Sequence, residues 1–366
     1  MPASASLVLR LSRFPVLLLL LLALVPPLQG PSRAAASDID ALLAPYEGGA
    51  PLPPIIDALP LEDGRAYAVL AQIIPPYVAT LQDPEGVRRA VLSGLNFFAV
   101  QRAGTQLGHA LVGWRCDDGR FGLTGKVSRD QIAAFRMLLG GWGMAALLAD
   151  FEGAAVHARD ELQQGWLRGL NRSAVRLVAF EIDADDCQRM RRTLADYLTD
   201  PQRPADRFSV LGDPVDMQGD VCFSFALWLA RQGGVFSGVP DDLFWREVQL
   251  LDSFIGEGRS APSSVVPFRV DSAEQTVGEI GLLELVRRDW STGRALGRAR
   301  GVDPELLTLA LDRAYARAGQ PRAPRLAPDD AQARDVAAAV DRWLARYGRL
   351  IPMRMGEARA VVLHRR

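Results

Sequence analysis

A cysteine and a histidine stand where they could perform nucleophilic chemistry. Cys222 lies at the expected start of a helix, and His109 heads a short apolar run that ends at Trp114. A thiol is a nucleophile only as the thiolate, and a helix N-terminus and a neighbouring imidazole both lower its pKa. Asp220 is a favourable N-cap type, so Val221 and Cys222 are predicted as the first two helical residues. Backbone N–H groups would then face the sulfur and any oxyanion beside it.

Both residues have a plainer interpretation. A single histidine in an apolar strand is more often a core residue than a base, and Cys222 lies among Phe223, Phe225 and Trp228, as in an ordinary buried helix. A zinc site is disfavoured because the cysteines lack the close Cys-x2-Cys spacing of structural zinc ligands. The sequence predicts no metal ion and no cofactor.

The elements that would position this pair are a hairpin, a strand and a helix. Two apolar runs, 107–116 and 121–127, are joined by Asp-Asp-Gly-Arg, and Asp-Gly between such runs is a strong hairpin signal. Residues 174–182 alternate as a strand, and a helix capped by Asp183 or Asp185 is predicted to extend to about Leu198. We expect both hairpin strands to lie in one sheet with residues 175–182.

The remaining segments are predicted to be mainly helical. Residues 64–102 show helical apolar spacing broken at two prolines, and 152–170 is predicted as a helix or a helix pair. The economical organisation is an α+β core over 88–238, preceded by a helical and linker segment, 37–87, and followed by a helical region, 239–366.

The order of these elements resembles the circularly permuted papain-like superfamily, which includes lecithin:retinol acyltransferase and permuted NlpC-type hydrolases. The resemblance lies in Gly-His-Ala-Leu-Val at 108–112, in Cys-Phe-Ser-Phe at 222–225, and in the strand and helix over 175–198. It implies a small antiparallel sheet with packed helices, with Cys222 as nucleophile, His109 as base and a polar residue on the next strand as orienter. On that strand Thr124 and Lys126 are the candidate orienters, with Thr124 preferred, and neither is the usual Asn, Asp, Glu or His. Members commonly carry Asn before the cysteine, where this chain has Val221.

The resemblance implies an exported cysteine hydrolase or acyltransferase acting on an amide or ester. His109 would take the proton from Cys222, and the thiolate would attack a carbonyl of a cell-envelope peptide or a lipid acyl group. One alternative is a catalytically inert envelope protein that keeps the papain-like fold for binding or as a scaffold. A second is an all-helical structural protein in which the pairing of cysteine and histidine is accidental.

The first 36 residues are predicted to be an export signal. Arg10 and Arg13 provide a basic start, residues 16–25 form an apolar stretch, and three alanines at 34–36 offer a cleavage site. The 42 basic residues include one lysine, which favours a GC-rich bacterial coding sequence. We therefore expect a periplasmic or secreted bacterial protein. If the N-terminal segment stays uncleaved, it would anchor that protein at a membrane.

The charge balance disfavours one class of partner, and the cysteine count limits the possible disulfides. The formal net charge is -1 over 366 residues, and the basic residues are well mixed with acidic ones, so no nucleic-acid partner is expected. The three cysteines leave at least one free thiol in a single chain. Cys116 and Cys187 could pair and leave Cys222 reduced, or all three could be buried and unpaired.

Overall fold

The computed structural model of the protein shows a mixed α/β fold. It describes residues 36–48, 52–75, 77–94, 108–130, 132–170, 174–270, 277–322, 325–326 and 330–366. The predicted export signal, apart from Ala36, lies outside the described residues, as do Leu107 and residues 95–102 of the predicted helical segment.

The helices in chain order are α1 (Ala36–Glu47), α2 (Pro54–Asp57), α3 (Pro84–Gly94), α4 (Ala133–Leu139), α5 (Ala145–Leu148), α6 (Glu161–Gly169), α7 (Ala184–Thr199), α8 (Cys222–Gln232), α9 (Leu282–Arg287), α10 (Pro304–Arg317) and α11 (Ala331–Leu344). The strands are β1 (Ala66–Ile73), β2 (His109–Arg115), β3 (Phe121–Ser128), β4 (Asp150–His157), β5 (Val175–Ile182), β6 (Arg207–Phe208), β7 (Trp245–Leu251), β8 (Val265–Val266), β9 (Ala295–Val302), β10 (Tyr347–Met355) and β11 (Ala358–Arg365).

One large, mostly antiparallel sheet organises the molecule. Its strand order is β10-β11-β5-β1-β2-β3-β4-β6, with β8 also paired to β4, and β7 and β9 form a separate two-stranded sheet. Within the large sheet, β11 and β5 are parallel and the other strand pairs are antiparallel. The predicted hairpin is confirmed as β2 and β3, and both strands share the sheet with β5, as predicted.

Helices cover both faces of the sheet. Successive side chains on a strand point to opposite faces, so each strand contributes to both. We call one the α8 face: on β2 it carries Ala110, Val112 and Trp114, in one core cluster with residues of α7, α8, α10 and α11. We call the other the α6 face: there Leu111 shares a cluster with Leu167 of α6 and the isoleucines of α2. A third core cluster lies around α4, α5 and the β7–β9 pair.

Strand β1 corrects the helix predicted for this part of 64–102. All eight of its residues are buried, between β2 on one side and β5 on the other. A strand covered on both faces lacks the polar alternation that marks a half-exposed strand, so its sequence is a plain apolar run. The helical prediction does hold for α3, which follows at Pro84–Gly94.

Two further predictions of helix are wrong in part. The segment 152–170 contains most of strand β4 before α6 begins at Glu161, where Asp160 caps the helix by accepting from the Leu162 backbone N–H. The region 239–366, predicted to be helical, contains the helices α9, α10 and α11 but also the strands β7 to β11. Through β1 and β11, the segments 37–87 and 239–366 both add strands to the sheet of the 88–238 core.

Candidate functional site

The predicted nucleophile is a buried residue at the first position of α8. The N-cap residue is Val221 and not Asp220, so the helix starts one residue later than predicted. The Val221 N–H donates to Ser224 Oγ at 3.1 Å, which completes the cap from within the helix. The Cys222 side chain packs in the core cluster beneath the α8 face, and the residue is 6% exposed.

The surroundings of the Cys222 thiol favour its neutral form. Burial raises its pKa to about 12, and the negative charge of Asp220 acts in the same direction. Hydrogen bonds from the backbone N–H groups of Ala110 and Phe223 oppose this pKa shift but do not overcome it. A thiol with this pKa is almost entirely protonated near neutral pH, so it is a poor nucleophile.

The predicted base lies on the other side of the sheet. The His109 ring stacks on Trp166 of α6, with ring centroids 4.4 Å apart and planes inclined by 20°. Its Nε2 atom lies 3.3 Å from the position that a Cβ on Gly125 would occupy, beside Leu111 on the same face. His109 is 3% exposed. It therefore belongs to the α6 face, while Cys222 belongs to the α8 face.

The alternation of β2 explains this separation. The thiol accepts from the backbone N–H of Ala110, and the Ala110 side chain shares the Cys222 cluster. His109 is the next residue along the strand, so its side chain points to the opposite face. The structure therefore brings Cys222 close to the backbone of the histidine strand without bringing it to the imidazole.

The candidate orienter Thr124 does not connect them either. The Cα atom of Thr124 is paired with that of Val112, and its fully buried Oγ1 donates to the Val156 carbonyl oxygen at 3.0 Å. It directly follows Leu123, which contributes to the α6 face, so Thr124 points to the other face and away from His109. Its hydroxyl stabilises the pairing of β3 with β4.

A polar network that the sequence did not predict lies just before Cys222. Lys126 is fully buried and donates from Nζ to Tyr197 Oη at 2.7 Å and to the carbonyl oxygens of Pro204 and Ala205 at 2.6 and 2.9 Å. Tyr197 in turn donates to Asp220 Oδ1 at 2.9 Å. Lys126 Nζ lies 3.5 Å from the same carboxylate oxygen.

Burial acts against both charges of this network. It lowers the pKa of Lys126 and raises the pKa of Asp220, although the attraction between the two groups opposes each shift. The one signal for this network in the sequence is that the chain's single lysine occurs within an apolar strand. Its partners come from distant segments, so sequence spacing could not have assembled them.

The three cysteines divide as the first of the two predicted arrangements states. Cys116 and Cys187 form a disulfide with Cα atoms 5.6 Å apart, and Cys222 is the free thiol. The disulfide joins the end of β2 to α7.

Two cavities lie away from the predicted residues. One of about 450 Å³ is bordered by Asp252, Arg288, Asp289 and Thr292. Another of about 320 Å³ lies between the segments that contain β6 and β8.

Within the described ranges no group of three or more potential ligand side chains could hold a metal ion. Among the described helices none is long and apolar enough to cross a membrane.

Comparison with known proteins leaves the chain without an assigned relative. No protein-family profile, no curated protein and no solved structure matches it.

Proposed function

We propose that this chain is an exported binding or scaffold protein of the bacterial cell envelope, in which Cys222 does not act as a nucleophile. The observation that carries the proposal is the position of His109 and Cys222 on opposite faces of one sheet. A nucleophile and its base must lie about 3 Å apart or be bridged by one water molecule. A continuous strand between the two side chains prevents that contact.

The state of the thiol supports the same proposal. Cys222 has no cationic neighbour among the groups that shift its pKa, and burial together with Asp220 favours the protonated form. Reactive cysteines lie instead in electropositive, partly exposed surroundings. Cys222 is therefore assigned to the core, where it packs as a small apolar side chain.

The proposed compartment is supported by the disulfide together with the N-terminal sequence. Disulfides persist in oxidising compartments such as the bacterial periplasm and are rare in the cytosol. The Cys116–Cys187 pair is consistent with export, which residues 1–36 also favour.

The permuted papain-like core is retained as part of the proposal. Its support is the packing of α8 against β2, β3 and β1 of an antiparallel sheet, with the cysteine at the first position of the helix. These are the elements on which the resemblance rests. A protein that keeps this core without a functional pair would bind an envelope component and not cleave it.

A cysteine hydrolase or acyltransferase is the second candidate, and one observation favours it. Cys222 opens a helix and receives hydrogen bonds from the backbone N–H groups of Ala110 and Phe223, which lower its pKa. The same groups could hold an oxyanion. This candidate requires a different base, because His109 lies on the opposite face of the sheet from the thiol.

The two candidates differ in what happens to an envelope substrate. The mature protein and its Cys222→Ala variant would be incubated with purified peptidoglycan sacculi. Co-sedimentation measures binding, and mass spectrometry of the supernatant measures released peptides. The proposal predicts equal co-sedimentation of both proteins and no Cys222-dependent product. Peptides released by the wild type alone would establish the hydrolase, and failure of both proteins to sediment would reject the sacculus as the bound component.

A further inference from the structure

The N-terminal helix α1 is held on the body of the protein by an apolar contact and two carboxylates. Ile39 and Leu43 belong to the core cluster beneath the α8 face. Asp40 and Glu47 are two helical turns apart and engage arginine side chains from elsewhere in the chain. The Glu47 side chain is almost completely buried in this contact.

The groups that bind these carboxylates come from two separate elements. From the β2–β3 hairpin, Trp114 Nε1 donates to Glu47 at 2.7 Å and Arg120 Nη1 donates to Asp40 at 2.6 Å. From α7, Arg191 donates to Glu47 at 2.5 and 2.9 Å and to Asp40 at 2.6 Å. We call Trp114, Arg120 and Arg191 the α1 receptor. Each carboxylate of α1 bridges the hairpin and α7.

The disulfide joins the same two elements at the same place. Cys116 lies between Trp114 and Arg120 in the hairpin, and Cys187 lies one helical turn before Arg191 on α7. Both cysteines are fully buried. The covalent link therefore fixes the two halves of the α1 receptor relative to each other.

We propose that oxidation of Cys116 and Cys187 assembles the α1 receptor, so that α1 docks stably only in the disulfide-bonded protein. Arg191 is buried, and a buried guanidinium is stable only when it is paired and hydrogen-bonded. Its two carboxylate partners are on α1. When the hairpin and α7 can separate, each carboxylate keeps half of its partners and the binding of α1 weakens.

The oxidising step is a thiol–disulfide exchange with a disulfide-bonded oxidant of the exported compartment. The thiolate of one cysteine attacks the oxidant's disulfide, forming a mixed disulfide and releasing one oxidant thiolate. The thiolate of the second cysteine then displaces the other oxidant sulfur and closes the Cys116–Cys187 bond. The oxidant leaves as a dithiol, having received two electrons and two protons from the pair.

The coupling must act in both directions, because binding free energies are reciprocal. A disulfide that favours docking of α1 implies that docked α1 favours the disulfide. This inference rests on the proposed export but does not depend on whether Cys222 is catalytic. It gives the exported chain a docked conformation of its N-terminal helix that is less populated before oxidation.

Hydrogen exchange on the full chain tests the first direction. The amides of α1 should exchange at least about tenfold faster in the Cys116→Ser, Cys187→Ser double variant than in the oxidised wild type. The amides of α11 should keep their protection, because α1 packs mainly against α7, β3 and β4, whereas α11 packs mainly against α10. The Cys222→Ala variant, which keeps the disulfide, should protect α1 like the wild type. Unchanged protection of α1 in the double variant, or an equal loss in α1 and α11, would overturn the proposal.

A variant with both cysteines present tests the reverse direction and does not require the reduced protein to fold. In glutathione buffers of graded potential, the Glu47→Gln variant should lose the disulfide at a several-fold less reducing glutathione ratio than the wild type. The Glu62→Gln variant is the control, because Glu62 pairs with Arg349 away from α1 and its midpoint should match the wild type. Identical midpoints for Glu47→Gln and the wild type would overturn the proposal.

Discussion

The buried ammonium group of Lys126 has partners that only the folded chain brings together. It is the single lysine of the chain, and its ammonium group is enclosed by Tyr197, Asp220 and two backbone carbonyl oxygens. Removal of one partner from a buried charge network leaves the others unpaired, and this costs more than the network itself contributes. The network therefore fixes the position of the segment that leads into α8.

We predict that Lys126→Met lowers the free energy of unfolding by about 3–5 kcal/mol. The physical reason is that the carboxylate of Asp220 remains buried without its cation. Urea unfolding followed by circular dichroism measures the loss. In the Lys126→Met, Asp220→Asn double variant the loss should be smaller than the sum of the two single losses, because the unpaired charge is also removed. A loss in the single variant below about 1 kcal/mol would show that the ion pair behaves as a solvated surface pair.

At the residue scale, the types of the candidate site residues could be selected from the sequence but their contacts could not. His109 and Ala110 are adjacent, and one of them must face the cysteine helix. A shift of one residue exchanges the two faces of a strand, and no property of the run 109–114 states which face α8 will cover. The packing of α8 on the Ala110 side is decided by the whole core.

At the scale of elements, prediction succeeded where local signals were strong. The Asp-Gly turn predicted the β2–β3 hairpin. An aspartate followed by a segment with apolar residues at helical spacing predicted α7. The start of α8 was placed within one residue. The Asp-Gly turn has the same effect in almost any context, whereas Asp183 makes no side-chain capping hydrogen bond to α7 and the N-cap of α8 is Val221 in place of the predicted Asp220.

The elements that were mispredicted depend on long-range pairing. Strand β1 is an apolar run without period, and β4 has a helix directly after it. Strand β10 contains Pro352 and lies at one edge of the sheet, so its pattern is irregular. In each of these strands the partner strand supplies the stabilisation, and the local sequence does not identify that partner.

At the scale of the molecule, the first described helix and the last strand share one core. Strand β11 pairs in parallel with β5, and Leu363 lies in the same cluster as Leu43 of α1 and Cys222 of α8. This cluster crosses the limits of the predicted segments 37–87, 88–238 and 239–366. The chain should therefore lose stability in the central sheet when its C-terminal hairpin is altered.

We predict that Leu363→Ala lowers the free energy of unfolding by about 2–5 kcal/mol, because it leaves a cavity in the shared core. The control is Met355→Ala in the same hairpin, where the residue is 36% exposed and the loss should be within about 0.5 kcal/mol. Thermal or urea unfolding of both variants measures the difference. Equal small losses would mean that the C-terminal hairpin folds apart from the central sheet.

Whether His109 affects the reactivity of Cys222 decides between a core cysteine and a catalytic pair. With Cys116 and Cys187 in the disulfide, Cys222 is the single thiol that iodoacetamide can alkylate, and a Cys222→Ala variant gives the background. Because burial raises its pKa to about 12, we predict negligible alkylation of the folded protein up to about pH 9 and the same profile in His109→Ala. In urea the thiol should react with an ordinary pKa of about 8.5. Alkylation of the folded wild type near pH 7 that shifts to higher pH in His109→Ala would show that the imidazole activates the thiol and would establish the catalytic pair.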